Sequence, residues 1–422
     1  MKILIHGINF APELVGIGKY TGEMAGWLAA RGHAVRVVAA PPYYPDWSVG
    51  AGYRPDRYRR EILRWADGAA VEVWRCPLWV PHQPGGAKRL AHLASFAASG
   101  APVMLAQARW RPDLVLCVEP TLFSAPAALL AARLAGARAW LHIQDLEVDA
   151  AFDLGLLPGG VLRRFALGCE SALLRRFDRV STISEAMRER VIAKGIAPER
   201  APLLPNWADV DAVRPLPGPS PLRAELGIAQ DAVVALYSGN LGEKQGLELL
   251  IEAARALRDD PAVVFVIGGA GSARERLMTM ATDLSNIRWI PLQPLERLND
   301  LLNLADVHLL PQRADAADLV MPSKLTGMLA SGRPVIATAE PATQVGRVVG
   351  GCGVLVPPGD GAALARAVVA LAADPARRQA LGAAARRYAE TNLARDAIMG
   401  RFENTALALC GQSAPARRTP VA

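Results

Sequence analysis

Residues 321–338 read MPSKLTGMLASGRPVIAT, and the pattern is a loop, a short helix, a tight turn and a buried strand. Pro322 suits the first turn of a helix, because its missing N–H would have no partner there anyway. Ser323 and Lys324 then fall at the helix N-terminus, where backbone N–H groups point outward. A lysine is poorly placed at that end, since the macrodipole favours negative charge. A bound anion removes the conflict, with N–H groups, hydroxyl and ammonium converging on one phosphate. Gly332-Arg333-Pro334 stops the helix and starts the strand 335–337. The competing reading is a surface lysine that snorkels into water.

Two other stretches repeat the design. Residues 233–238 (VVALYS) read as a buried strand, followed by GNLGEKQG at 239–246. An amphipathic helix at 247–258 comes next, with Leu249, Leu250, Ala253 and Leu257 at helical spacing. At the N-terminus a strand at 2–6 leads into PELVGIGK at 12–19 and then a helix to residue 31. Gly16 and Gly18 let the backbone approach a ligand closely. Three strand–loop–helix entries of this kind point to a diphosphate-bearing ligand held where the strands end.

At 422 residues the chain exceeds one comfortable core, so two domains are expected. Hydrophobic content of 51% with 21% charged residues describes a globular protein. The net charge of +7 admits nucleic acid, an anionic membrane or an anionic small ligand as partner. No RNA-reading aromatic motif, zinc-finger spacing or long basic tract occurs, so no nucleic-acid partner is expected. Cys76, Cys117, Cys169, Cys352 and Cys410 are scattered and form no CxxC pair. That argues for reduced thiols in a cytoplasmic setting and against a structural zinc. MKILIHG at 1–7 is too short for a signal-peptide core and reads as a first strand.

Residues 90–108 (LAHLASFAASGAPVMLAQA) carry no Asp, Glu, Lys or Arg, and Lys88, Arg89, Arg109 and Arg111 flank them. Three readings stand. The length matches a bilayer span. The alanines, diluted by His92, Ser95, Ser99, Pro102 and Gln107, fit a pair of core helices instead. A helix lying on the membrane surface, with its basic flanks on anionic lipid, is the third.

Strands are predicted at 2–6, 34–39, 71–75, 114–118, 139–143 and 179–182, with helices at 21–30, 124–134 and 162–176 between them. Such alternation predicts a parallel sheet with helices on both faces. Residues 203–222 (LLPNWADVDAVRPLPGPSPL) turn loop-like and mark an interdomain linker. The second half repeats the architecture, with strands at 233–238, 263–268, 287–290, 307–310, 335–337 and 353–356. Helices follow at 362–373, 375–391 and 394–409, then a tail read as disordered. The expected division is an N-terminal domain at 1–205 and a linker at 206–222. A C-terminal domain at 223–392, a helix at 393–410 packing back on the N-domain, and a tail at 411–422 complete it.

The residues FAPELVGIGKYTGEMAGWLAARGHAVRVV, YSGNLGEKQGLELLIEA, PSKLTGMLASGRPVIA and GCGVLVPPGDGAALARAVVALAADPARR together resemble the retaining GT-B glycosyltransferases of the family 4 type. HIQDLEVDAAFDLGLL and the PSKL motif resemble the subgroup that builds bacterial exopolysaccharide, including the colanic-acid transferases. The resemblance implies an α/β, GT-B fold: two doubly wound Rossmann-like domains facing across a cleft. It implies a nucleotide-diphosphate sugar donor, with GDP-fucose the candidate, and a polyprenyl-linked saccharide acceptor. The implied setting is the cytoplasm, at the inner face of the cytoplasmic membrane, with peripheral contact to anionic lipid. Carried over by position, Gly16 and Gly18 approach the diphosphate, and Lys244 with Asn240 contacts the phosphates. Ser323 and Lys324 complete the cradle. Many members have Arg where Asn240 stands, and glutamates where Leu319 and Gly327 stand. Asp318 is the candidate for the donor-sugar role and Glu340 for the ribose.

Transfer with retention needs a departing diphosphate stabilised as charge grows on it, which N–H groups, Lys244 and Lys324 would supply. No protein nucleophile is then required, and no Ser-His-Asp or paired-carboxylate signature is present. No metal and no cofactor are expected. His142 and Asp145, after the strand at 139–143, are candidates for binding acceptor or donor sugar; a satisfied polar cluster is the competing reading. Gln293 lies where relatives seat the nucleobase. Gly268-Gly269-Ala270-Gly271 borders the nucleotide or is a plain turn. Tyr43, Tyr44 and Trp47 form an acceptor platform or a packing loop. Three other functions remain open: a nucleotide-sugar 2-epimerase of the same fold, a non-catalytic carbohydrate-assembly subunit, and an NAD-dependent oxidoreductase. The last is disfavoured because Gly16-Ile17-Gly18 lacks a third glycine at the right spacing.

Overall fold

The computed structural model describes residues 1–82, 85–120, 122–146, 160–242, 245–313 and 322–412. Two compact units emerge. The first is Met1–Pro205 joined by the stretch from Asp396, and the second is Asn206–Arg395.

The first unit is built on β1 (Lys2–Gly7), β2 (Ala34–Ala39), β3 (Arg59–Arg64), β4 (Ala70–Arg75), β5 (Leu114–Glu119), β6 (Arg138–Ile143) and β7 (Arg179–Thr182). They form one sheet in the order β3-β4-β2-β1-β5-β6-β7. Every pairing is parallel except β3 with β4. Its helices are α1 (Gly16–Ala30), α2 (Gly86–Gln107), α3 (Ala125–Ala135), α4 (Val161–Leu174) and α5 (Glu185–Ala193). β1 and β5 are buried almost throughout. Helices on both faces leave such strands no wet side, so they read as continuous apolar runs. β3 escapes sequence reading because RREILR carries four charges. It is an edge strand whose charges pair with its neighbour, Glu61 with Arg75 at 2.8 Å and Arg60 with Glu72. Charges on an edge strand also block pairing with foreign strands.

The second unit holds β8 (Val233–Ser238), β9 (Val263–Gly268), β10 (Ile287–Ile290), β11 (Val307–Leu310), β12 (Val335–Thr338) and β13 (Gly353–Val356). The order is β10-β9-β8-β11-β12-β13, and all pairs are parallel. After a single helical turn at Leu222–Glu225, its helices are α6 (Glu248–Ala256), α7 (Arg274–Met280), α8 (Leu298–Leu304), α9 (Lys324–Ala330), α10 (Gln344–Val349), α11 (Gly361–Ala372) and α12 (Pro375–Tyr388). One core cluster joins β8, β9 and β12 to α6 and α11 through Tyr237, Leu250, Phe265, Ile336 and Val368.

Two expectations change. The pair of core helices at 90–108 is one helix, α2, with His92, Leu93, Phe96, Gly100 and Met104 buried along one face. That single buried stripe withdraws the bilayer-span reading; no described helix is long and apolar enough to cross a membrane. The linker at 206–222 is held within the second unit. Arg214 N–H donates to Asn299 Oδ1 (3.0 Å), Leu216 N–H to Asn303 Oδ1 (3.1 Å) and the Ser220 hydroxyl to the Asp300 carbonyl (2.7 Å). Side-chain amides and backbone oxygens thus take up the polar groups of a proline-rich segment. The C-terminal helix α13 (Arg395–Cys410) joins the first unit from Asp396 onward. Phe402 packs edge-on to Trp140 at 4.9 Å between centroids. Glu403 accepts from Arg31 Nε (2.8 Å) and pairs with His33 Nε2 (2.8 Å).

Candidate active site

In the second sheet the strand order reverses direction between β8 and β11, and ligand crevices in open α/β sheets lie at the carboxyl ends of such strands. Beyond β8 the loop is zipped to the glycine turn after β9. Gly239 N–H donates to the Gly268 carbonyl (3.0 Å), Leu241 N–H to that of Ala270 (2.8 Å), and Ala273 N–H to that of Leu241 (2.9 Å). Gly269 has φ +130°, and a Cβ there would lie 1.9 Å from the Gly239 carbonyl oxygen. Only glycine permits both that backbone conformation and that approach.

Helix α9 starts at Lys324 with Ser323 as its N-cap residue, exposed and making no side-chain cap. The Lys324 side chain turns inward across the end of β8. Its Nζ donates to Tyr237 Oη (2.6 Å) and Gln245 Oε1 (3.1 Å), and lies 4.2 Å from the Tyr237 ring centroid. Tyr237 in turn donates to the Asn240 carbonyl (2.7 Å), so its lone pairs face the ammonium. Burial pulls the Lys324 pKa down to about 7 and pushes the Tyr237 phenol up. Across the reversal point, Thr338 Oγ1 accepts from Gln312 N–H (2.7 Å) and donates to its carbonyl (2.9 Å). Among the described residues no carboxylate pairs with Lys324. A desolvated ammonium held only by neutral oxygens is chemically suited to receive an anion, since an opposite charge would favour its protonated form.

Sequence comparison identifies the family. Residues 15–207 match the family described as "Glycosyl transferase 4-like domain", and residues 220–388 match "Glycosyl transferases group 1". A protein of Escherichia coli strain K12, described as a colanic acid biosynthesis glycosyl transferase, WcaI, is 46% identical over 427 aligned residues. The alignment covers 96% of this chain and 99% of that protein. The chain is a GT-B glycosyltransferase of the family 4 type. Solved structures share the fold. Sucrose-phosphate synthase from Thermosynechococcus elongatus superposes with a TM-score of 0.74 at 18% identity, covering 98% of this chain and 100% of that one. Anabaena HepE in complex with UDP and glucose gives 0.68 at 19% identity, covering 97% and 100%.

Within this glycosyltransferase the other expected residues fall as follows. Asn240 is exposed beside Lys324, its carbonyl serving Tyr237. Lys244 and Asp318 lie outside the described residues. Gly327 sits in α9, where a Cβ would meet Leu302 Cδ1 at 3.2 Å, a contact that asks the leucine to give by a few tenths of an ångström. Gln293 is half-buried and donates to the Pro291 carbonyl (3.1 Å). Glu340 is exposed, and its carbonyl accepts from Thr343 ahead of α10.

In the first unit, both glycines of the N-terminal loop meet protein neighbours. A Cβ on Gly18 would lie 2.2 Å from Glu13 Oε2, and one on Gly16 would lie 3.3 Å from the Tyr44 ring. Glu13 is buried and accepts from Tyr43 N–H (3.0 Å), Tyr44 N–H (3.1 Å) and Asn9 Nδ2 (3.0 Å). Burial pushes its pKa up against those bonds. Gly18 therefore makes room for a buried carboxylate of its own loop. Tyr43 packs on His92 and Trp47 at 4.8 and 5.6 Å, which makes 43–47 a packing loop around that ring. His142 is buried, with Nδ1–H donating to Ser181 Oγ (2.9 Å) and Nε2 accepting from the Gln144 amide (3.0 Å). Trp140 Nε1–H donates to the same Ser181 oxygen (2.8 Å). Burial lowers the His142 pKa to about 4. In this arrangement both ring nitrogens are engaged, and the satisfied-cluster reading describes the residue. Asp145 is half-buried just past β6.

Sequence reasoning missed Tyr237, Gln245, Glu13 and the Thr338–Gln312 pair. Tyr237 carried a signal: it is the polar-tipped residue at the end of an otherwise aliphatic strand facing a ligand crevice.

Proposed function

We propose that this glycosyltransferase moves a sugar from a nucleotide-diphosphate donor, GDP-fucose in our reading, to a polyprenyl-linked saccharide in synthesis of a colanic-acid type exopolysaccharide. The observation that carries the donor site is the Lys324 ammonium, desolvated at the β8/β11 reversal and held by Tyr237 and Gln245. The pathway reading rests on the relative WcaI, aligned over nearly the full length of both chains.

The donor's anomeric carbon–oxygen bond to phosphate breaks, and the new bond to the acceptor oxygen forms on the same face, with retention. The acceptor proton passes to an oxygen of the departing diphosphate. Lys324, the N–H groups opening α9, and Lys244 from the loop that also holds Gln245 would offset the charge growing on that diphosphate. That donor set would do the work of a divalent ion, so the reaction is metal-independent in this reading. Work on a lipid-linked acceptor belongs at the inner face of the cytoplasmic membrane, where exposed Lys88, Arg109 and Arg111 around α2 would meet anionic headgroups.

The test incubates the enzyme with GDP-fucose and, separately, UDP-, ADP- and dTDP-sugars, a polyprenyl-diphosphate saccharide and EDTA. Lipid extraction and the anomeric signal then read the product. Transfer from GDP-fucose with retention, undiminished by EDTA, is expected. Free sugar without lipid product would instead indicate the epimerase, and donor binding without turnover the assembly subunit.

A further inference from the structure

The second unit carries a cavity of about 660 Å³ at the end of α9 remote from Lys324. Gly332, Arg333 and Pro334, between α9 and β12, line it together with Asp306, which precedes β11. It therefore opens at the amino edge of the parallel sheet, whereas the donor site lies at the carboxyl edge. We propose that this cavity is a second anion site, built for a phosphate-bearing group.

Four guanidinium groups line it, those of Arg333, Arg378, Arg386 and Arg387, against the single carboxylate of Asp306. That carboxylate is already occupied by Arg223 Nη2 (2.6 Å) and Val234 N–H (2.8 Å). Two of the arginines are committed to the fold. Arg386 donates to the carbonyls of Val213 and Ala330 (2.7 Å each) and Val210 (2.8 Å), with Nε on Glu390 (2.7 Å). Arg378 Nη1 takes the carbonyls of Leu371 and Ala372 at the end of α11. The other two are not hydrogen-bonded into it, although the Asp306 carboxylate attracts the Arg333 guanidinium. Arg333 Nε is buried without a hydrogen-bond partner. Arg387 is exposed and pairs with no carboxylate among the described residues.

A buried N–H without an acceptor is unfavourable, so Arg333 gains most from a ligand that supplies one. Two unspent guanidiniums favour a doubly charged anion over a single carboxylate. The planar fork of arginine matches phosphate oxygens two at a time. A free phosphate ester and a phospholipid headgroup offer the same chemistry, and the experiment separates them.

Pyrophosphate is titrated calorimetrically into the full-length protein carrying Lys324→Met, which removes the donor-site ammonium, and into the same protein with Arg333→Gln or Arg387→Gln added. Binding is expected to persist in Lys324→Met and to weaken about tenfold with either arginine change, the scale of one lost charge-assisted bond. In parallel, flotation with phosphatidylcholine vesicles is compared with vesicles that also contain phosphatidylglycerol. Arginine-dependent flotation without pyrophosphate binding assigns the site to a lipid headgroup. Equal affinity and equal flotation in all variants would overturn the proposal. Should Arg333→Gln fail to fold, Arg387→Gln on an exposed side chain still decides the matter. Because donor binding is read in the wild-type background, its failure is distinguishable from failure of this site.

Discussion

Lys324 Nζ and Tyr237 Oη are 2.6 Å apart, joining the first residue of α9 to the strand β8, 87 positions earlier in the chain. Tyr237 is buried, so its hydroxyl is one of two neutral acceptors that keep a desolvated ammonium in place. Tyr237→Phe keeps the ring and removes that acceptor. Donor KM should rise about fivefold to tenfold with the fold intact, as expected for loss of one hydrogen bond to a charged group. Steady-state kinetics beside a melting curve checks this, and an unchanged KM would count against the role given to Tyr237.

The Lys324 pKa of about 7, lowered by burial, would make donor binding at this residue a proton-linked event. At pH 8 the free enzyme holds this lysine mostly neutral, whereas a bound diphosphate favours the ammonium. Calorimetry of GDP binding at pH 8 in buffers of different ionisation enthalpy should show uptake of close to one proton, and none in Lys324→Met. Stability follows the same linkage. Between about pH 7 and the ordinary lysine value near 10.4 the unfolded chain binds more protons than the native one, so this group's contribution rises with pH in that window.

Glu403 anchors the C-terminal helix to the first unit. Burial pushes its carboxyl up, but hydrogen bonds from Arg31 and His33 outweigh it and the net shift is downward. His33 is lowered, chiefly by burial. Both groups bind fewer protons folded than unfolded as the medium is acidified. The stability they give is present above about pH 6.5 and lost progressively below it. Glu403→Ala leaves a buried histidine and an arginine without their shared partner and should cost about 3 kcal/mol by urea unfolding.

Gly269→Ala would place a methyl group against the Gly239 carbonyl oxygen at a backbone conformation suited to glycine. A loss of about 3 kcal/mol or more is expected in the second unit, because the obstacle is backbone and cannot swing aside. Wild-type unfolding behaviour would show that the two loops are free to separate.

The fold was open to sequence reading wherever burial on both faces demanded an unbroken apolar run. β5 and β8 stand where the pattern puts them, and the charged edge strand β3 does not announce itself. The site was legible only in part. Lys324 could be recognised because a cation at a helix N-terminus conflicts with the dipole, a conflict visible within four residues. Its partners could not, since Tyr237 and Gln245 reach it through tertiary folding. Gly18 shows the converse: a glycine read as making space for a ligand makes it for Glu13, because sequence records the need for space and not what fills it.

A crystal of the enzyme soaked with GDP-sugar measures the donor site most directly. The diphosphate should sit within hydrogen-bonding distance of Lys324 Nζ and of the amide groups that open α9. A diphosphate bound elsewhere, with Lys324 still resting on Tyr237 and Gln245 alone, would overturn the assignment.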